Sequence, residues 1–511
     1  MKNFLQNPWV TLFTLSTALL LISIDLTIMY TALPTLTREL QAGPMEKMWI
    51  MNAYTLMMTG LLPCTGPISD RFGHKRIFIG GLLVFGIASG AAALATGPGG
   101  LIAARAALGV GGAMMMPATL AIVNQTFPEP SRHATAISIW TAVASAGAAI
   151  GPLVGGVLLE HFWWGAIFLV HIPVVLIALP FALGMPQPRE RARRLYPVNL
   201  GAAALAITGL VGAVLTIKMA AQPGVWLPAL LAVALGSSLL LWYFVRWQRA
   251  HPSPLIDFHL FAHRPFAASI AAILITSMTM TGMELVFSQY LQLARDMPPA
   301  SAALRLMPLM VTSLVAGLVA GRLIRWFSIR SLICTGLVLQ AGGLTLMGQL
   351  TLASAHALQW SVALGLICIG AGCALTVNTA CTAIMRSAPP DRAGMAASIQ
   401  EISFEMGSVL GVTLFGSLVS FLFARSLQGD VLAMLPGGSL PVAASETLEG
   451  TLAVAQTLGV QGMALADSAK LAFEQAFHSA LLATALLLLL ASGWVFVSLK
   501  ALAPSSAPVP R

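Results

Sequence analysis

Charge is what this sequence has least of. Only 9% of its 511 residues are Asp, Glu, Lys or Arg, while 57% are hydrophobic. A soluble protein carries about 25% charged residues, so an ordinary soluble enzyme is excluded, as is disorder, which requires low hydrophobicity. Cysteine is also scarce. Cys64, Cys334, Cys368, Cys373 and Cys381 are odd in number, lie in or beside apolar runs and form no C-x-x-C pair. That argues against a disulfide framework or a zinc site and for small core residues. There is no phosphate-binding glycine loop, no G-x-S-x-G elbow and no H-E-x-x-H motif. The histidines do not cluster at metal-ligand spacing. Covalent catalysis, a metal and a cofactor are therefore without support, and the chain is not read as an enzyme.

What the sequence does have is long apolar runs. An all-α integral membrane protein follows, because a chain in hydrocarbon must satisfy its backbone internally and the runs do not alternate as barrel strands do. At roughly 20 residues per crossing, the apolar windows give fourteen spans. Their approximate limits are 9–30, 47–67, 77–97, 100–124, 134–158, 163–186, 198–218, 225–246, 266–290, 302–323, 331–351, 359–385, 395–424 and 478–500. The start, MKNFLQNPWV, reads as a retained first span: it has no clear small-residue cleavage site and Asp25 follows. Residues 425–477 are expected to form a long, weakly amphipathic loop with short surface helices.

The net charge of +9 could indicate nucleic acid, but the basic residues are spread over short loops between the spans. Loops on the side of the termini hold nineteen of the 27 lysines and arginines, and the opposite loops hold six. By the positive-inside rule both termini are cytoplasmic. Two polar stretches, 187–197 and about 246–265, divide the chain. The expected organisation is an N-terminal six-helix bundle (1–186), a linker with a two-helix insert (187–250) and a C-terminal six-helix bundle (251–511), the last including the outer loop 425–477. An internal repeat supports related halves: Gly66–Lys75 matches Gly321–Arg330 without gaps, 255 residues on, sharing the glycine, the phenylalanine and the final cation, with Arg325 in place of Asp70.

Four acids fall inside the spans: Asp25, Glu284, Glu401 and Glu405. A charge at mid-bilayer costs at least about 2.5–3.5 kcal/mol, and such residues usually serve function. Glu401 and Glu405 stand one helical turn apart and face the same way, so two charges there repel. No cation lies near any of them in sequence, although Arg105, itself within span four, is a remote candidate partner for Asp25. On these grounds Asp25 is expected to be a titrating carboxyl, whose Asn variant still folds. The alternative for each acid is a hydrogen-bonded or salt-bridged structural role. In span five, Gly147, Gly151, Pro152, Gly155 and Gly156 recur on one face at spacing four, which permits close backbone packing and is expected to join the two halves. Trp140, Met115, Met283 and Phe287 are candidate linings of an adaptable cavity; lipid or packing contact is the plainer reading.

The segment Gly66-Pro-Ile-Ser-Asp70-Arg71-Phe-Gly73-His-Lys75-Arg76 resembles the loop signature of the major facilitator superfamily between spans two and three, G-x-x-x-D-R-x-G-x-[KR]-[KR]. The span-five pattern G-x-x-x-G-P-x-x-G-G resembles the antiporter signature of proton-coupled drug exporters. Asp25-Leu-Thr27 with Ala32-Leu33-Pro34 is similar to the span-one signature of the fourteen-span drug:proton antiporters. Trp49, Tyr54 and Pro254-Leu-Ile-Asp257 with Phe261 also fit that family, as do Arg105, Gly109 and Gly112, although Leu108 stands where the family often has glutamine. Trp164-Gly-Ala-Ile-Phe168 departs from the usual W-R-W-x-F, and with Glu160-His-Phe162 it resembles the methyl viologen and quaternary-ammonium exporters of enteric bacteria. The resemblance implies a major facilitator fold of fourteen helices (6 + 2 + 6) and proton-driven efflux of cationic, lipophilic compounds by alternating access. It also implies a monomer in the bacterial inner membrane that needs no cofactor. Asp25, Glu401, Glu405 and Glu284 would handle protons or the cation, and the Gly66–Arg76 segment would gate. A metabolite exporter or symporter of the same fold is the nearest alternative; a membrane-embedded enzyme or receptor is a more distant one.

Overall fold

The computed structural model describes residues 7–186, 200–220, 225–251, 254, 256–324, 326–348, 355–387, 393–430, 447–458 and 460–499. Among them the chain is helical throughout its regular structure. In order the helices are α1 (Pro8–Glu39), α2 (Pro44–Phe72), α3 (His74–Ala93), α4 (Pro98–Thr126), α5 (Pro130–His161), α6 (Ala166–Gly184), α7 (Leu200–Ala220) and α8 (Leu227–Ala250). There follow α9 (Arg264–Ala294), α10 (Pro299–Leu323), α11 (Ile329–Gly348), α12 (Ala355–Ser387) and α13, which runs from Ala393–Leu410 through a π turn at Gly411–Phe415 into Gly416–Asp430. A short α14 (Leu448–Thr457) precedes the last helix, α15 (Val460–Ser498). Thirteen are long and apolar enough to cross a membrane. The fourteenth, α2, has the length, at 29 residues, but carries Glu46, Lys47 and Arg71 within it.

Proline begins α1, α2, α4, α5 and α10. At the first helical position its missing N–H is no loss and its fixed φ suits the helix. The Asn7 side chain caps α1 by accepting from Trp9 N at 2.9 Å. Glu46 reaches back to Gly43 N at 2.8 Å to close a capping box on α2. Helices run past the apolar windows because nothing stops them at the membrane surface. At 1.5 Å per residue the 32 residues of α1 extend roughly 48 Å. The polarity is inverted relative to a soluble protein: Ile87, Leu235, Leu239 and Leu490 are exposed, whereas Asp25, Arg105 and Glu284 are buried.

Two expectations are corrected here. Among the described residues the segment 425–477 is more helical than expected: α13 continues to Asp430, α14 is one of the expected short helices at 448–457, and α15 starts at Val460 instead of about 478, while the expected loop at 431–441 lies outside the described residues. A methyl group at Gly462 would collide with the Ala455 carbonyl, so the α14–α15 turn closes only over glycine. The Gly66–Arg76 segment is likewise helix rather than loop. Helix α2 reaches Phe72 and α3 starts at His74, with Gly73 alone between them. The 187–197 stretch lies outside the described residues.

Contacts divide the chain into two units. One comprises residues 1–255, 282–307 and 412–477, and the other 256–281, 308–411 and 478–511. In the first, α1 packs on α5, α4 on α2 and α3, and α7 on α8 and α2. In the second, α11 packs on α12. The internal repeat reaches into this packing. Gly81 and Gly336 are 255 residues apart; a methyl group would stand 2.9 Å from Gly111 O at the first and 2.7 Å from Gly372 O at the second. The third and fourth spans of each half therefore meet backbone to backbone in the same way.

Candidate functional site: buried charges within the helices

In the first unit the charge centre is a pair. Arg105 Nη1 on α4 donates to Asp25 Oδ2 on α1 at 2.6 Å, with side chains 1% and 0% exposed. Arg105 Nε donates to Ile50 O at 3.2 Å, and its guanidinium lies over the Tyr54 ring, 5.0 Å from the centroid. Arg105 thus ties α4 to α1 and α2. The sequence places no cation near Asp25; the fold supplies one from 80 residues away. Asp25 Oδ1 remains buried without a hydrogen-bond partner. His171 on α6, which sequence reasoning passed over, is also fully buried. Its Nδ1 shares a proton with Ser89 Oγ at 3.0 Å, and Asp25 and Arg105 are its charged neighbours.

The glycine face of α5 explains how Asp25 is seated. Methyl groups at Gly147 and Gly155 would stand 2.9 Å from Ser23 Cβ and 2.6 Å from Ile28 Cγ1, and one at Gly151 would collide with Thr27 Oγ1. All three contacts are on α1, on either side of Asp25. The expected junction between halves is thus, at these positions, packing of α5 on α1 within one bundle. Gly156 differs: a methyl there would be 2.6 Å from Ala300 Cα at the start of α10. Pro152 lies inside α5. Gly109 and Gly112 perform the same service for α4, facing the Tyr54 carbonyl and the Tyr54 hydroxyl.

Gly73, between α2 and α3, has φ 96° and ψ 125°, a region open only to glycine. Its N–H donates to Ser69 O at 3.0 Å, and Ser69 Oγ meets His74 Nδ1 at 2.6 Å across the hinge. Lys75 Nζ donates to Leu183 O at 2.7 Å and Met185 O at 2.6 Å, capping the orphan carbonyls at the end of α6. Arg71 and Arg76 are exposed, and Gly66 has open space around it. The side chain of Asp70 lies outside the described residues. In the second copy Ser328 replaces the hinge glycine and caps α11, accepting from Ser331 N at 3.2 Å.

Glu284 on α9 belongs to the first unit and is 2% exposed; Glu405 on α13 belongs to the second and is also 2% exposed. Glu284 Oε1 and Glu405 Oε2 are buried without hydrogen-bond partners. Among the described residues neither acid, nor Glu401, forms an ion pair. Around Glu405 the helix is held tightly. Ser277 Oγ donates to Phe404 O at 2.7 Å, and Ser408 Oγ lies 3.1 Å from both Ser277 Oγ and Thr281 Oγ1. A methyl at Gly407 would stand 2.5 Å from Leu274 O. These hydroxyls carry no sequence signal beyond being polar residues on apolar helices.

The suggested cavity residues are packed. Met115, Met283 and Phe287 are buried, and Phe287 stacks on Tyr290 and Phe477. Trp140 Nε1 donates to Thr119 Oγ1 at 3.3 Å.

Comparison with known proteins agrees with this geometry. The sequence pattern of the Major Facilitator Superfamily matches residues 15–412. The chain is 36% identical over 503 residues to the methyl viologen resistance protein SmvA of Salmonella typhimurium, covering 97% of this chain and 99% of that one. It is 34% identical over 504 residues to the multidrug efflux pump LfrA of Mycolicibacterium smegmatis, covering 97% of each. The puromycin resistance protein pur8 of Streptomyces alboniger is 32% identical over 460 residues, 88% of this chain and 89% of that one. Among solved structures, the inward-facing, unoccupied bacterial homolog of the human lysosomal transporter Spinster superposes with a TM-score of 0.69 at 16% identity, covering 96% of both chains, which is a likeness of fold. With the fold, the buried charges and these relatives together, the chain belongs to the Major Facilitator Superfamily and is a multi-pass membrane transporter, not an enzyme.

Proposed function

We propose that the protein exports lipophilic cations in exchange for protons, as a monomer in the bacterial inner membrane with both termini cytoplasmic. One observation carries the reading: Glu284 and Glu405 are buried carboxyls with no cation beside them among the described residues. A bare carboxylate in hydrocarbon costs at least about 2.5–3.5 kcal/mol. A proton removes that cost, and so does an organic cation. A site that must hold one or the other exchanges them, and alternating access then couples the two movements. Glu401, one turn before Glu405, adds a second charge that repels the first, so the two favour sharing one positive charge. The relatives support efflux of this kind: one is named for resistance to methyl viologen, a dication, and another for multidrug efflux. An exporter of anions would need free cations in its helices, whereas Arg105 is engaged by Asp25. A proton arriving on Asp25 would release Arg105 from its partner and loosen the α1–α4 contact.

The test is transport into inverted vesicles driven by an imposed pH gradient, normalised for expression. Glu405→Gln should abolish methyl viologen export and Glu401→Gln should weaken it. Unchanged resistance and unchanged transport in a well-expressed Glu405→Gln variant would sink the reading.

A further inference from the structure

His171 is a buried titratable side chain that the transport reading leaves idle. It lies in the first unit with Asp25 and Arg105 and has no exposed surface. Two residues of α3 fix the ring: the Phe85 ring stands 5.4 Å away between centroids, and Ser89 Oγ is 3.0 Å from Nδ1. A serine hydroxyl donates to the bare Nδ1 of a neutral ring and, once turned, accepts from the N–H of a charged one. Ser89 therefore serves His171 in both charge states. The second ring nitrogen, Nε2, finds no hydrogen-bond partner among the described residues, and neither does Asp25 Oδ1, the oxygen that Arg105 leaves free.

Helix α6 packs on α1, α3 and α5. Apart from Asp25, the charged residues of those three helices stand in their end turns. Asp25 and Arg105 are thus the charges that act on the ring, and they act with opposite signs. A fully buried ring beside a guanidinium that cannot shed its charge is neutral while Arg105 sits on Asp25. With Arg105 withdrawn, the same ring faces an uncompensated carboxylate. The carboxylate can take a proton itself, but an ordinary imidazole holds one about 2.6 pH units more tightly than an ordinary aspartate. Arg105 is the eighth residue of α4, His171 the sixth of α6 and Ser89 the fifth from the end of α3. Short links between successive helices put these three positions toward the end of the bundle away from the N-terminus, which is the outer end in the orientation proposed above.

We infer that His171 is the alternate countercharge of Asp25: when Arg105 leaves the carboxylate, His171 takes a proton from water on the outer side and replaces it, with Ser89 accepting from the charged ring. One proton enters, Asp25 stays ionised, and the salt bridge passes from α4 to α6. Separation of α4 from α1 then draws in a proton, and return of Arg105 expels it. The use of that proton in transport rests on the exchange proposed above, whereas the change of partner does not.

The test reads the charge of His171 by nuclear magnetic resonance at neutral pH, on purified full-length protein with isotopically labelled histidine rings. His171→Gln identifies the signal by its loss. His171 should be neutral in the wild type, imidazolium in Arg105→Gln, and neutral again in Arg105→Gln/Asp25→Asn. A neutral His171 in Arg105→Gln, with the proton on Asp25 instead, overturns the inference. So does an imidazolium in the wild type, or one that survives in the double variant. A second measurement leaves Arg105 intact: proton release on adding methyl viologen in lightly buffered solution. His171→Gln should release about half as many protons per folded protein as the wild type, because one of two proton-holding sites remains. Equal release by the two proteins overturns the inference. No release by the wild type overturns the exchange reading instead, and the imidazole signals then decide the role of His171 by themselves.

Discussion

Replacing Asp25 by Asn should damage the folded protein more than replacing Arg105 by Gln, although the two remove the same ion pair. Removing one partner of a buried salt bridge costs about 3–5 kcal/mol, because the other charge is left without compensation. In Asp25→Asn, Arg105 keeps a neutral hydrogen bond to the new amide oxygen, which returns about 1 kcal/mol, and its place over Tyr54 is unchanged. The net loss is therefore about 2–4 kcal/mol. Arginine cannot escape this by losing its proton. In Arg105→Gln the stranded group is Asp25, which can take up a proton and become neutral, so the loss should be smaller, about 1–2 kcal/mol. The double variant Asp25→Asn/Arg105→Gln should be more stable than Asp25→Asn alone, since no unpaired charge remains. Thermal unfolding of the four purified proteins in one detergent gives the cycle. Equal stability of Asp25→Asn and wild type would refute the reasoning, as would a double variant no better than Asp25→Asn. The sequence-based expectation that Asp25→Asn folds normally rested on an isolated carboxyl, and the pairing with Arg105 reverses it.

Three further outcomes follow from local geometry. Gly109→Ala drives a methyl into the Tyr54 carbonyl and should cost about 1–3 kcal/mol in thermal stability, whereas Gly66→Ala, which meets open space, should change it by less than about 0.5 kcal/mol. Gly73→Ala forces an L-residue to φ 96° and should lower stability by about 1–3 kcal/mol, read as a reduced unfolding temperature and easier proteolysis between α2 and α3. Lys75→Met removes the donor to Leu183 O and Met185 O, so labelling of a cysteine placed at Met185 should quicken, whereas Arg76→Met, an exposed change, should leave it as in wild type.

Much of the architecture was legible along the chain because bilayer thickness sets a length and hydrocarbon sets a composition. Each apolar window sits within or overlaps a helix, and proline at the starts of α1, α2, α4, α5 and α10 carried the boundary signal in plain view. The acids at 284, 401 and 405 could be singled out for the same reason: a charge in an apolar run is conspicuous without any coordinates. Where polarity was the guide, the reading failed at the ends. The region after residue 425 looks like a loop because it is less apolar, yet helix propensity does not depend on lipid, and α15 gains eighteen residues before 478. The Gly66–Arg76 segment shows the same confusion of polar with irregular.

By itself, the sequence determined that the chain lies in a membrane, that it forms fourteen long helices in two related halves, and that a few acids stand where water is absent. These are properties of a residue and its near neighbours along the chain, governed by solvent and by backbone hydrogen bonding. Only the tertiary structure decided which charges are compensated. Arg105 neutralises Asp25 because α4 and α1 meet, while the glycines of α5 let it press against α1 on either side of Asp25. Glu284 and Glu405 have no such neighbour among the described residues. A pairing between residues 80 apart depends on the approach of two helices to within a hydrogen bond's length, and that distance is a property of packing, which no spacing along the chain encodes.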